Sequence, residues 1–83
     1  MLTTFRDGEA VSLVKINPEL NQRRFYVLEC SFDLFGQAIL TRHYGRIGRS
    51  CRVKIDSFCN MGVASKKLEK LASSKRRRGY VDR

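Results

Sequence analysis

The chain has 83 residues, of which 42% are hydrophobic, and carries a formal net charge of +9 at pH 7. A chain of this length buries about 60–65% of its unfolded surface, which excludes a large internal active site, and its hydrophobic content excludes wholesale disorder. The charge is uneven, since residues 1–40 sum to −1, residues 41–65 to +4 and residues 66–83 to +6. This asymmetry indicates an anionic partner, with nucleic acid ahead of an acidic protein or an anionic membrane.

The first half of the chain predicts two strands. Residues 1–9 have little pattern, whereas residues 10–16 are rich in β-branched side chains and predict a first strand. Pro18 lacks the N–H that a central strand needs, so residues 17–21 are read as a loop. Residues 23–31 alternate with period two and neither face is wholly polar, which predicts a strand in the middle of a sheet.

A hairpin follows in the middle of the chain. Residues 32–36 predict a turn that is anchored by apolar side chains, and residues 37–44 predict the next strand. Arg42 and Tyr44 share one face of this strand because side chains alternate along it. Residues 45–50 then connect to a strand over residues 51–58, in which Val53 and Ile55 lie opposite Arg52, Lys54 and Asp56.

A helix and a short tail complete the chain. Asn60 is a candidate N-cap, and the helix is predicted over residues 63–74 because Ala64, Leu68, Leu71 and Ala72 form one apolar stripe. Residues 75–78 are a basic run, after which Tyr80 is expected to return the tail to the core. These elements predict an α+β fold in one domain over residues 1–83, with a small antiparallel sheet of four to five strands and one helix packed on it.

The cysteines and the apolar runs bear on the compartment. Cys30, Cys51 and Cys59 are odd in number and lack metal-site spacing, so they are expected to be reduced and mostly buried, with no metal site. The N-terminus lacks the apolar core of a signal peptide, and no segment approaches 18 apolar residues. A soluble cytoplasmic protein that does not bind membranes is therefore expected.

Catalysis is poorly supported by the residue types. The chain has a single histidine, His43, and it lacks paired carboxylates and the H-E-x-x-H, G-x-S-x-G and Walker patterns. His43 is read as an ordinary strand residue rather than a general base. The sequence therefore predicts no catalytic residues, no enzyme activity and no cofactor.

The stretch from His43 to Arg49 carries the main functional signal. Gly45 and Gly48 can adopt positive φ, so a tight turn there would present Tyr44, Arg46 and Arg49 from a constrained backbone. A ring beside guanidinium groups suits a sugar or base next to a phosphate. On spacing alone, a basic hairpin that only reverses the chain is an equal alternative.

These residues also resemble a known family. The pattern Tyr44-Gly-Arg-Ile-Gly-Arg49 resembles the signature of the WGR domain, which occurs in DNA-damage-responsive poly(ADP-ribose) polymerases and as small stand-alone bacterial proteins. Residues 24–28, 35–36, 40–42 and 78–80 resemble its flanking motifs, so that the resemblance covers residues 21–80. The signature Trp is Tyr44 here, whose ring can stack over a smaller area.

The resemblance implies recruitment to DNA rather than catalysis. It implies that Tyr44 packs against a sugar at a strand terminus and that Arg46 makes the neighbouring contact, so the expected ligand is a DNA end or nick, recognised without base specificity. The alternative is a regulatory module in which Arg46 and Arg49 bind an acidic protein partner. The candidate nucleic-acid-binding residues are Arg42, Tyr44, Gly45, Arg46, Arg49, Arg52, Lys54, Lys75, Arg76, Arg77 and Arg78.

Overall fold

The computed structural model describes residues 10–83, so the interpretation of residues 1–9 as lacking a regular element lies outside the described residues. The strands are β1 (Ala10–Asn17), β2 (Gln22–Phe32), β3 (Ala38–Arg46), β4 (Cys51–Phe58) and β5 (Val81–Asp82), and a single turn of 3₁₀ helix spans Pro18–Leu20. Helix α1 spans Met61–Arg77. The predicted α+β class, with an antiparallel sheet and one helix packed on it, is confirmed.

The sheet has the strand order β4-β3-β2-β1-β5, which puts β2 in the middle as predicted. Neighbouring strands are antiparallel throughout. The β2–β3 turn sets the register because the Asp33 carboxylate accepts hydrogen bonds from the backbone N–H groups of Phe35 and Gln37, at 2.9 and 2.8 Å. This connection aligns Tyr26 with Tyr44 on the neighbouring strand.

The helix covers one face of the sheet and creates a one-sided core. Leu13, Leu28 and Leu40 from three strands are fully buried, and Leu68 of α1 is 1% exposed. Burying a side chain of this size contributes about 1.5–3 kcal/mol. The core therefore holds α1 against the sheet and fixes which strand positions face the helix.

Helix α1 has the predicted N-cap, but it begins at Met61 rather than at residue 63 and it ends later than predicted. The side-chain oxygen of Asn60 accepts a hydrogen bond from the backbone N–H of Val63 at 2.9 Å, which confirms Asn60 as the N-cap. The helix continues to Arg77 rather than ending at residue 74, so Lys75 lies in its last turn. Cations are favourable there because the helix dipole is negative at this end.

Two expectations about burial are wrong. Leu34 and Phe35 do not anchor the β2–β3 turn, since they are 99% and 93% exposed; the Asp33 carboxylate orders the turn instead. Cys51 and Cys59 are exposed and only Cys30 is buried, because the first two lie at the beginning of the edge strand β4 and just after it.

Candidate functional site

The β3–β4 hairpin depends on two glycines. Gly48 has a φ of +85°, a conformation that L side chains rarely adopt. A Cβ on Gly45 would lie 3.2 Å from the Cα of Cys51 and 3.2 Å from the carbonyl oxygen of Ser50. These positions hold the backbone tightly just after Tyr44, so the ring extends from a constrained strand end.

Three tyrosines form an aromatic group beside the end of α1. The rings of Tyr26 and Tyr44 are stacked, with their centroids 5.4 Å apart and an interplanar angle of 20°. Tyr80 meets the ring of Tyr26 edge-on at 6.3 Å and packs against the core, as predicted for the tail. Tyr26 is buried while Tyr44 is half-buried, so Tyr26 supports a ring that remains accessible.

Lys75 brings a cation from the helix to this aromatic group. Its Nζ lies 4.5 Å from the ring centroid of Tyr26 and 5.6 Å from that of Tyr80. Burial lowers the pKa of Lys75, and the positive charges of Arg78, Arg24 and Arg42 lower it further. The ammonium group is therefore held where further positive charge surrounds it and where an anion would relieve the repulsion.

Like charges also face each other across the strands. Arg24 of β2 lies opposite Arg46 of β3, and Arg42 of β3 lies opposite Lys54 of β4. Like charges placed directly opposite one another destabilise a sheet. Because this arrangement works against folding, it points to a role in binding an anion.

These groups line one open cleft of about 700 Å³ on the helix side of the sheet. It has no acidic lining residue among those the structure describes, although Arg42 donates a 2.8 Å hydrogen bond to Asp56 close by. Arg46 donates to the backbone carbonyl of Asn21 at 2.9 Å, not to a carboxylate. The lining residues are Arg24, Phe25, Tyr26, Arg42, Tyr44, Gly45, Arg46, Arg52, Lys54, Lys75 and Tyr80.

The structure brings together seven of the eleven residues proposed from the sequence, namely Arg42, Tyr44, Gly45, Arg46, Arg52, Lys54 and Lys75. The other four are not among the residues that line the cleft. Arg49 lies on the exposed hairpin loop, and Arg77 and Arg78 are exposed at the end of the helix. Arg76 forms a two-pronged ion pair with Asp82, at 2.7 and 2.8 Å, and so ties the tail to α1.

Sequence reasoning missed Arg24, Phe25 and Tyr26, and it treated Tyr80 only as a core residue. The signal that would have found Arg24 and Tyr26 is the turn at Asp33, which fixes the β2–β3 register and sets Arg24 opposite Arg46 and Tyr26 opposite Tyr44. Without that register, the alternation in β2 shows which residues share a face but not which residues of β3 they meet.

Within residues 10–83, no three His, Cys, Asp or Glu side chains are grouped so that they would hold a metal ion. The helix found there lacks the length and the apolar character that crossing a bilayer requires.

The chain is similar in sequence to known proteins over most of its length. The family model described as WGR domain matches residues 9–83. An uncharacterized protein, y4dW of Sinorhizobium fredii (strain NBRC 101917 / NGR234), is 32% identical over 69 residues, which cover 83% of this chain and 34% of that protein. The chain thus spans about a third of the length of this relative. No solved structure matches the chain. The chain belongs to the WGR domain family.

Proposed function

We propose that this protein binds DNA at ends or nicks, through contacts to backbone phosphates and sugars that do not depend on sequence. WGR domains are nucleic-acid-binding modules in poly(ADP-ribose) polymerases. The observation that carries the proposal is the cleft, in which cations face one another across the strands beside the accessible ring of Tyr44. Phosphates that bind to such a surface relieve the repulsion between its cations, so binding lowers the free energy of the protein.

Different residues of the cleft would contact the sugar and the phosphates of the DNA. Tyr26 covers one face of the Tyr44 ring, and Arg52 is the cross-strand neighbour of Tyr44 on β4. A sugar against Tyr44 would therefore have the guanidinium of Arg52 next to it for the adjoining phosphate. Arg46, opposite Arg24, would contact a second phosphate. The described chain has α1 as its one α-helix and therefore no helix-turn-helix pair, which fits binding by shape rather than by base readout.

Fluorescence anisotropy with a short 5′-phosphorylated duplex tests the proposal. Affinity is expected to fall linearly with salt on a double-logarithmic plot, with a slope of about −0.9 for each phosphate contacted. Tyr44→Ala should weaken binding about tenfold or more because stacking contributes ~1–3 kcal/mol per base. Tyr44→Phe, which keeps the ring, should bind nearly as well as the wild type.

Matched variants separate the cleft from overall charge. Arg52→Ala removes an exposed cation that lines the cleft, and Arg77→Ala removes an exposed cation outside it. The first should weaken binding clearly and the second only slightly. A duplex closed at both ends by hairpin loops should bind less well than the open duplex. The proposal fails if the affinity for duplex does not change with salt concentration. It also fails if Tyr44→Ala keeps its fold and binds duplex as tightly as the wild type.

An acidic protein partner bound by the hairpin loop is the second candidate. Arg49 favours it, since this side chain is exposed on the loop and does not line the cleft. If Arg49→Ala abolished binding of an acidic protein and left duplex binding unchanged, the loop would serve this second role.

The proposal extends to the setting in which the chain works. We expect a single WGR-like domain that has no catalytic activity of its own and acts in the cytoplasm of a bacterium. The exposed thiols of Cys51 and Cys59 fit a reducing compartment.

A further inference from the structure

The free edge of strand β4 offers a second interaction surface, which shares Arg52 and Lys54 with the cleft. Strand β4 is the first strand in the sheet order and, within residues 10–83, pairs only with β3, so its other edge has backbone groups without strand partners in that range. Every residue of Cys51–Ile55 is exposed. Unpaired edges of this length are templates for a further strand.

The side chains of β4 alternate in chemistry as well as in direction. Arg52 and Lys54 point to the face that carries α1, whereas Val53 and Ile55 point to the uncovered face, where they are 54% and 59% exposed. A strand added to this edge would place its own alternate residues beside these two rows. On the face that carries α1, acidic side chains of the added strand would pair with Arg52 and Lys54. On the uncovered face, apolar side chains would pack against Val53 and Ile55.

A second copy of this chain does not fit the same edge. Two β4 strands paired antiparallel about a twofold axis, with Val53 opposite Val53, would bring Arg52 of one copy beside Lys54 of the other. Like charges in such positions destabilise the pair, and each copy carries a net charge of +9. Registers that bring these cations beside Asp56 instead meet a carboxylate that Arg42 already holds at 2.8 Å. Cations on an edge strand protect against self-association, but they leave an acidic strand free to bind.

The opposite edge of the sheet is less available. Strand β5 pairs there with Leu13 and Val14 of β1, and the backbone N–H of Arg83 donates to the carbonyl of Ser12 at 2.9 Å. The N–H and C=O groups of β4 that point away from β3 belong to Cys51, Val53, Ile55 and Ser57, which alternate with the residues bonded to β3. The usable stretch is therefore residues 51–57.

We propose that the free edge of β4 binds an extended peptide segment in which acidic and apolar residues alternate, by adding it to the sheet as a sixth strand. The backbone supplies hydrogen bonds that do not depend on sequence, while Arg52 and Lys54 select the acidic positions and Val53 and Ile55 select the apolar ones. This inference does not rest on the proposed DNA binding.

Two isomeric peptides test the inference with the full chain. One has four glutamates and four valines in alternation, and the other has the same residues as an acidic block followed by an apolar block. Both have the same charge and composition. The alternating peptide should bind about tenfold more tightly, which corresponds to about 1.4 kcal/mol, because only it matches both rows.

Hydrogen exchange distinguishes strand addition from simple charge pairing. When the alternating peptide binds, every second backbone amide within residues 51–57 should exchange more slowly, since successive N–H groups of a strand point to opposite edges. An unchanged exchange pattern in β4, or equal affinity for the block peptide, would overturn the inference.

A charge swap provides the matched control. The double variant Arg52→Glu with Lys54→Glu should lose the acidic peptide and bind an alternating peptide of lysine and valine instead. Lys66→Glu with Lys67→Glu makes the same change of charge at exposed positions of α1 and should leave binding of the acidic peptide largely intact. Formation of dimers by the wild type without peptide, lost in the first double variant, would assign the edge to a second copy instead.

Discussion

Lys75 has an environment that works against its own charge. Burial and the nearby guanidinium groups lower its pKa, despite the attraction of the Tyr26 ring 4.5 Å away. Because the folded-state pKa lies below the unfolded-state value, the unfolded chain binds more protons in the window between them. The contribution of Lys75 to the free energy of unfolding should therefore rise with pH through that window.

We expect the Lys75 side-chain carbon resonance to titrate at lower pH in the folded protein than in the same protein unfolded in urea. Saturation with duplex should move the folded-state midpoint upward, since phosphates favour the ammonium form. The unfolded chain is the control for the ordinary lysine value. Equal midpoints in the folded and unfolded protein would contradict the described surroundings of Lys75.

At the scale of single residues, the sequence predicts part of the site for a clear reason. The period of two in β3 places Arg42 and Tyr44 on one face, and both line the cleft. The role of Tyr26 is set by strand register and that of Lys75 by the length of α1, neither of which alternation reveals. The sequence also does not predict the ion pair between Arg76 and Asp82, because Asp82 reaches Arg76 only when the tail folds back onto the sheet.

The β3–β4 hairpin gives a test at the scale of an element. Gly45→Ala would force a Cβ against two backbone groups that have no side-chain freedom to move away, so it should destabilise the protein by about 3 kcal/mol. Gly48→Ala meets no atom within 4 Å, and only its positive φ of +85° opposes the substitution, at a cost of about 1 kcal/mol.

Urea unfolding followed by circular dichroism measures both free energies under the same conditions. Each variant changes one glycine of the same hairpin to the same residue, so each serves as the control for the other. If the two lost equal stability, the close approach of Gly45 to Cys51 and Ser50 would not be a constraint on the fold.

The sheet and helix were predictable as elements because their patterns are periodic, and the cap at Asn60 has a short local signature. The cause that orders the β2–β3 turn was harder to predict. Apolar residues at positions 34 and 35 suggested anchors, but a turn ordered by the Asp33 carboxylate has no need of them. Hydrophobicity alone does not reveal which of two local causes holds a turn.

Across the whole molecule, the cleft and the C-terminal tail share Tyr80. Its ring meets Tyr26 in the cleft, while the next residues pair with β1 and Asp82 is held by Arg76. A ligand in the cleft should therefore stabilise the docked tail. Release of Arg83 by carboxypeptidase B is expected to slow about tenfold when free duplex is at ten times its Kd.

Arg52→Ala provides the control for that experiment, since it lines the cleft but lies on the edge strand far from the tail in the sheet order. At the same duplex concentration it should lose most of the protection. If saturating duplex did not change the release rate of Arg83 from the wild type, the claim that a ligand in the cleft stabilises the docked tail would be wrong.

The uncovered face of the sheet has a thermodynamic consequence. Only one face is sealed by α1, and Val53, Ile55 and Ile16 on the other remain more than half exposed. Less apolar surface is thus dehydrated on folding than in a chain of equal length whose sheet is covered on both sides. The heat-capacity increment of unfolding should fall below the usual ~12–15 cal/mol/K per residue, which gives a broad, shallow stability curve. When the free energy of unfolding is small at every temperature, ligands bound in the cleft and at the β4 edge would contribute a large share of it.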